Sequence, residues 1–181
     1  MARTKRNEIQ RLTLAAMLIA LGIVLPTIFT PPVASRLLLM HIPALLAGFV
    51  IGPKYGFVVG FVTPLLRSVT FGMPPLVPAA TAMAFEIATY GTVAGVMYNK
   101  LKPTIINTFI SLITAMVLGR LAWGLAMYVI IVGFNQAGGI FTLSRWWTSV
   151  VATSITGIII QLILIPAIMI ALEKSGYIDK K

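Results

Sequence analysis

The chain has 181 residues, 59% of them hydrophobic and only 10% charged, with a mean hydropathy of +0.99; a soluble domain carries about 45–50% apolar and about 25% charged residues, so water is not its main solvent. The formal charge of +10 does not make it a nucleic-acid binder, because the basic residues flank apolar runs instead of forming a stripe interleaved with aromatics. The absence of cysteine excludes disulfides and thiolate chemistry, and one histidine in the whole chain argues against a His-based metal site.

Residues 1–11 are basic and precede an apolar run, as in a signal peptide. That run exceeds signal-peptide length and ends in Thr30-Pro31-Pro32 with no small-residue cleavage site, which predicts a retained helix. Hydropathy and helix breakers then mark six apolar segments, at residues 12–29, 37–51, 56–71, 79–98, 104–134 and 147–172. The second and third are short, are separated by Gly52-Pro53-Lys54-Tyr55 and carry Pro43 and Pro64, which predicts a tight hairpin that spans incompletely or with kinks. Pooling them into one span would leave five crossings. A spanning helix needs roughly 20 residues, so residues 1–181 form one membrane domain with no room for a separate soluble catalytic unit.

Lys and Arg set the expected orientation. Arg3, Lys5, Arg6 and Arg11, then Lys54, Lys100 and Lys102, then Lys174, Lys180 and Lys181 fall on one side, ten of the fourteen basic residues. The opposite connections hold only Arg36 and Arg145. The expectation is an all-α bundle of six transmembrane helices over residues 12–172, with both the basic segment 1–11 and the tail 173–181 cytoplasmic. Three outer loops, at residues 29–35, 71–78 and 135–140, are rich in Pro, Gly and apolar residues and almost free of charge; they read as covers for a ligand or as connectors stiffened by proline.

Ionisable groups inside a bilayer cost several kcal/mol unless paired or hydrated, so each is a candidate site residue. Arg67, near the outer end of the third segment, and Glu86, about two turns into the fourth, have similar depth and are expected to pair, directly or through a ligand. Arg120 lies in the middle of the fifth segment, with Trp123, Gly124 and Met127 on the same helical face. A guanidinium beside an indole suits a ligand with an acidic group and a flat or apolar body, a snorkelling arginine being the structural alternative. His41, two residues before Pro43, is either a packing residue or a ligand contact. Arg36, Asn135, Arg145, Trp146 and Trp147 gather at the outer boundary, where an aromatic belt is the simplest reading of the tryptophans. In the first segment Ala16 and Ala20 stand four apart beside Gly22, a small-residue stripe for close helix approach, inside the bundle or against a partner. No phosphate loop, zinc motif or Ser/His/Asp set is present, so no catalytic residue, cofactor or metal is expected, and any ATP hydrolysis must come from a partner.

The stretch His41-Ile-Pro-Ala-Leu-Leu-Ala-Gly-Phe-Val-Ile-Gly-Pro-Lys-Tyr-Gly56, with Phe71-Gly-Met-Pro-Pro75, Ala84-Phe-Glu86-Ile-Ala-Thr-Tyr-Gly91 and Ala16-x-x-x-Ala20, resembles the substrate-binding S component of energy-coupling factor (ECF) vitamin transporters, over nearly the whole chain. The resemblance implies a multi-pass protein of the prokaryotic cell membrane that binds a vitamin-like small molecule from outside, beneath the three outer loops. It then docks on a membrane scaffold subunit carrying two ATPases and topples to release its ligand inward. The alanine stripe of that family's docking surface maps to Ala16 and Ala20, whereas its pocket residues vary with substrate, so Arg36, His41, Arg67, Glu86, Arg120, Trp123 and Asn135 rest on the residue-level argument. The closest resemblance is to pantothenate-type S components, and the excess of arginine over acid suits a carboxylate; a queuosine precursor or a pyridoxine-like ring is the alternative ligand. A small membrane enzyme or scaffold protein is the rival of another class.

Overall fold

A computed structural model describes residues 7–101, 104–133 and 155–177, and among these every regular element is helical. In chain order they are α1 (Glu8–Val24), continued by a 3₁₀ turn (Leu25–Ile28), α2 (Pro31–Leu37), α3 (His41–Val50), α4 (Pro53–Phe71), α5 (Thr81–Lys100), α6 (Ile105–Tyr128) and α7 (Ile155–Lys174). Short π turns at Leu76–Ala80 and Val129–Gly133 lead into α5 and out of α6. Among the described residues three helical stretches are long and apolar enough to cross a membrane, at Glu8–Ile28, Ile105–Gly133 and Ile155–Lys174.

Each of the six apolar segments has its helix, in α1, α3, α4, α5, α6 and α7. With only 10 residues, α3 is too short to cross a bilayer that needs roughly 20, in line with the incomplete hairpin expected there. Gly52 turns the chain at φ 131°, a backbone angle open to glycine, and Pro53 starts α4 at a position where its missing N–H is no loss. The first outer loop departs from expectation, since much of residues 29–35 is helical in α2. Two prolines in a first turn do not oppose a helix, and the Thr30 carbonyl closes the turn by accepting from the backbone N–H groups of Val33 (3.0 Å) and Ala34 (2.9 Å). The third outer loop, at residues 135–140, lies outside the described residues.

Helix α5 is the centre of the bundle, packing against α3, α4 and α6, while α1 covers α3 and α4. The approach is close because the facing residues are glycines. Gly48 on α3, Gly56 and Gly60 on α4, and Gly91 and Gly95 on α5 are all buried, and a Cβ on any of them would overlap backbone atoms of a neighbouring helix or turn. Two buried clusters flank this seam, one around Leu45, Phe49, Tyr90 and Leu112 and one around Ala44, Ala47, Val59 and Ile87. Outward faces stay apolar, as at Ile106, Ile113, Val117 and Leu125 of α6, which suits lipid contact.

Side-chain contacts fix which helix ends lie together. The Tyr55 hydroxyl at the start of α4 donates to Glu8 Oε1 at the start of α1 (2.6 Å), and the Tyr98 hydroxyl near the end of α5 donates to Glu173 near the end of α7 (3.5 Å). Gly95 abuts Pro53, which joins the two pairs. Arg11, Lys54, Lys100 and Lys174 therefore belong to one end of the bundle, as their sequence positions predicted.

If the glycine seam holds the bundle, Gly91→Ala should lower the thermal unfolding midpoint in detergent, with a loss of about 1–3 kcal/mol for overpacking. Gly133→Ala, whose added methyl group would meet, among the described residues, only the Val129 side chain at 3.9 Å, should leave that midpoint nearly unchanged.

Candidate functional site

Four helices deliver polar side chains to the end of the bundle opposite the basic one. His41 opens α3 after a tight turn in which Leu38, at φ 52°, holds a left-handed backbone rarely adopted by a branched residue. The turn is clamped from two directions: the Leu38 carbonyl accepts from the His41 N–H (3.0 Å) and from Nε2 of Gln161 on α7 (3.3 Å). Gln161 is wholly buried, and Gly157 one turn earlier lets α7 press against the Arg36 carbonyl and the Leu38 side chain.

Glu86, on the second turn of α5, is 2% exposed and meets two basic groups through the same oxygen, Oε1. Arg120 Nη1 of α6 is 2.7 Å away and His41 Nε2 is 3.5 Å away. Neither approach has the alignment of a good hydrogen bond, so the contact is one of charge and proximity. Two neighbours set it up. Gly119 lets α6 close on the Glu86 backbone and the Tyr90 ring, bringing Arg120 within reach, and Tyr90 meets the His41 ring edge-on at 5.0 Å. Both ring nitrogens of His41 and the Nε and Nη2 of Arg120 are buried with no hydrogen-bond partner among the described residues.

These groups open onto a cavity of about 570 Å³ lined by His41, Arg67, Glu86, Arg120 and Trp123, five of the seven predicted ligand-site residues. The rest of its wall is largely apolar, from the end of α1, the α2–α3 turn and the ends of α4 and α5. A pocket of this size, mainly apolar with a few convergent polar groups, suits a small organic ligand. Among the described residues no three His, Cys, Asp or Glu side chains gather into a metal site.

A direct Arg67–Glu86 salt bridge, one of the two forms of pairing expected, does not form, because Arg120 occupies the Glu86 carboxylate. Arg67 turns the other way. Pro26 has no N–H to donate to the last carbonyls of α1, and Arg67 Nη1 donates to the carbonyl of Ile23, with its guanidinium 5.2 Å from the centre of the Phe71 ring. Arg36 is exposed on α2 and does not line the cavity. Asn135, Arg145, Trp146 and Trp147 lie outside the described residues. Ala16 and Ala20 are exposed on α1, whereas Gly22 faces inward onto Thr63, so the two alanines are not internal packing. Sequence reasoning missed Gln161, although a lone amide in the run Ile158–Ile165 of otherwise apolar residues was a signal that it has a buried partner.

The two members of the buried pair should differ in what they leave behind. Glu86→Ala strands a guanidinium that cannot shed its proton, at about 3–5 kcal/mol, whereas Arg120→Ala strands a carboxylate that can be protonated and should cost less. Denaturation in detergent should show that order, with the double variant Glu86→Gln/Arg120→Gln more stable than Glu86→Ala.

The family model for the ECF transporter substrate-specific component matches residues 10–169. Neither a curated protein nor a solved structure matches the chain. The family match runs from the first turn of α1 into α7 and contains every side chain of the cavity, and the chain belongs to the family of ECF transporter substrate-specific components.

Proposed function

We propose that this S component captures a vitamin or related micronutrient from the outer side of the cell membrane and delivers it through a scaffold subunit with two ATPases. Members of this family are membrane-embedded transporter subunits rather than enzymes, and membership implies both a small-molecule substrate and an ECF scaffold and ATPase module. The observation that carries the reading is the cavity of about 570 Å³ at the end of the bundle away from Arg11, Lys54, Lys100 and Lys174. By the positive-inside rule those basic ends face the cytoplasm, so the cavity faces outward. In this reading the chain is one domain over residues 1–181 with six crossings, both termini cytoplasmic, a multi-pass protein of the prokaryotic plasma membrane.

The ligand we favour is of the pantothenate type, small and flexible with an acid, an amide and hydroxyls. A queuosine precursor or a pyridoxine-like ring is the alternative, stacking on Trp123 and donating to Glu86. Native mass spectrometry of the compound carried through purification identifies which. Nucleotide hydrolysis is assigned to the partners, and Ala16 and Ala20, exposed on α1, are the docking residues for the scaffold.

Uptake by whole cells should therefore require co-expressed scaffold and ATPase subunits. Ala16→Trp or Ala20→Trp should abolish uptake while the isolated chain still binds its ligand, because bulk at these positions blocks close helix approach. Turnover of a substrate by the chain alone, or uptake undisturbed by both tryptophans, would overturn the assignment.

A further inference from the structure

The two arginines of the cavity are in different electrostatic states. The chain has four acids, and Glu8, Glu173 and Asp179 lie in its terminal parts, so Glu86 is the one carboxylate between residues 9 and 172. That carboxylate lies against Arg120, which is 12% exposed and already balanced. Arg67 has no acidic partner among the described residues, only a neutral carbonyl and an aromatic face.

We infer that the cavity takes a two-ended ligand, with an acidic group at Arg67 and a neutral group offering both a donor and an acceptor, such as an amide or a pair of hydroxyls, at the Glu86–Arg120–His41 cluster. This rests on the cavity being the ligand site. A second carboxylate at Arg120 would press against Glu86 with little water to screen the repulsion. A neutral group meets no such opposition and finds the partners it needs: the Arg120 Nε and Nη2 donate, Glu86 Oε1 accepts, and the two His41 ring nitrogens stand beside them. Each of these atoms is buried and lacks an aligned hydrogen bond to any of the described residues, a state that is costly unless a ligand or water completes it. At Arg67 the one hydrogen bond to the described residues is from Nη1 to Ile23, which leaves other guanidinium N–H groups for a carboxylate. The wall also carries Met40, Met73, Met83 and Phe71, an adaptable apolar lining for the ligand's body. The assignment replaces the sequence-based expectation that Arg120 binds the acid.

Pantothenate and panthenol form a matched pair of probes, identical except that a hydroxymethyl group replaces the carboxylate. In calorimetric titrations of the purified full-length chain, the unsubstituted protein should prefer pantothenate by about tenfold or more, the worth of one partly buried charge pair. Arg67→Gln keeps an N–H for the Ile23 carbonyl but loses the charge, and should reduce that preference to about twofold or less. Glu86→Gln should weaken both probes together, because the cluster receives the end they share. A preference that survives in Arg67→Gln, with Glu86→Gln tightening pantothenate alone, would put the acid at Arg120 and overturn the inference. If the unsubstituted chain binds neither probe, the pantothenate reading falls by itself. The compound carried through purification then decides: an anion that also bears a neutral amide or hydroxyl group supports the two-ended site, and a compound with no acid overturns it.

Discussion

The close contact of α3, α4 and α5 along their glycines is the constraint on which the rest of this molecule depends. Lipid is as apolar as a leucine side chain, so helices in a bilayer gain little from hydrophobicity and must be held by packing and hydrogen bonds. Gly48, Gly56, Gly60, Gly91 and Gly95 remove the side chains that would keep the backbones apart. With α5 drawn into the centre, Glu86 and Tyr90 are carried into the interior one helical turn apart. Gly119 then admits α6, and with it Arg120.

A buried carboxylate needs a partner, and here it has two potential ones on different helices. Arg120 neutralises Glu86 from α6, and His41 approaches from α3 through the turn that Gln161 clamps on α7. One anionic oxygen therefore draws on three helices, with a fourth steadying the turn before α3. The same contact leaves buried ring and guanidinium nitrogens without a hydrogen-bond partner among the described residues, on side chains that line the cavity. Fully paired, they would make a structural core; left unpaired, they are the groups to which we assign the neutral end of the ligand.

The opposite end of the bundle is built differently. Tyr55–Glu8 and Tyr98–Glu173 tie helix ends together through tyrosine hydroxyls, close to Arg11, Lys54, Lys100 and Lys174. Between the two ends the outward faces remain apolar, and on α1 the exposed alanines lower the relief of that face. The cavity at one end and the smooth helix face at the side are the two surfaces that we propose receive the ligand and meet the scaffold.

Much of this was legible in the residues themselves. Composition set the solvent, and apolar runs broken by Gly and Pro marked six helices, because a backbone in lipid must satisfy its hydrogen bonds within each segment. The cost of burying charge singled out Glu86, Arg67 and Arg120, and the positions of Lys and Arg foretold which helix ends lie together. Tertiary structure alone decided the partners. Depth along the chain paired Glu86 with Arg67, but helix rotation and the gap left by Gly119 paired it with Arg120, while Pro26 gave Arg67 a carbonyl instead. The helicity of Pro31–Leu37, the outward aim of Arg36 and the reach of Gln161 to Leu38 across 123 residues were equally out of view. Local sequence sets where a helix begins and how deep a residue sits; which way it faces, and what it meets there, is fixed only when the helices pack.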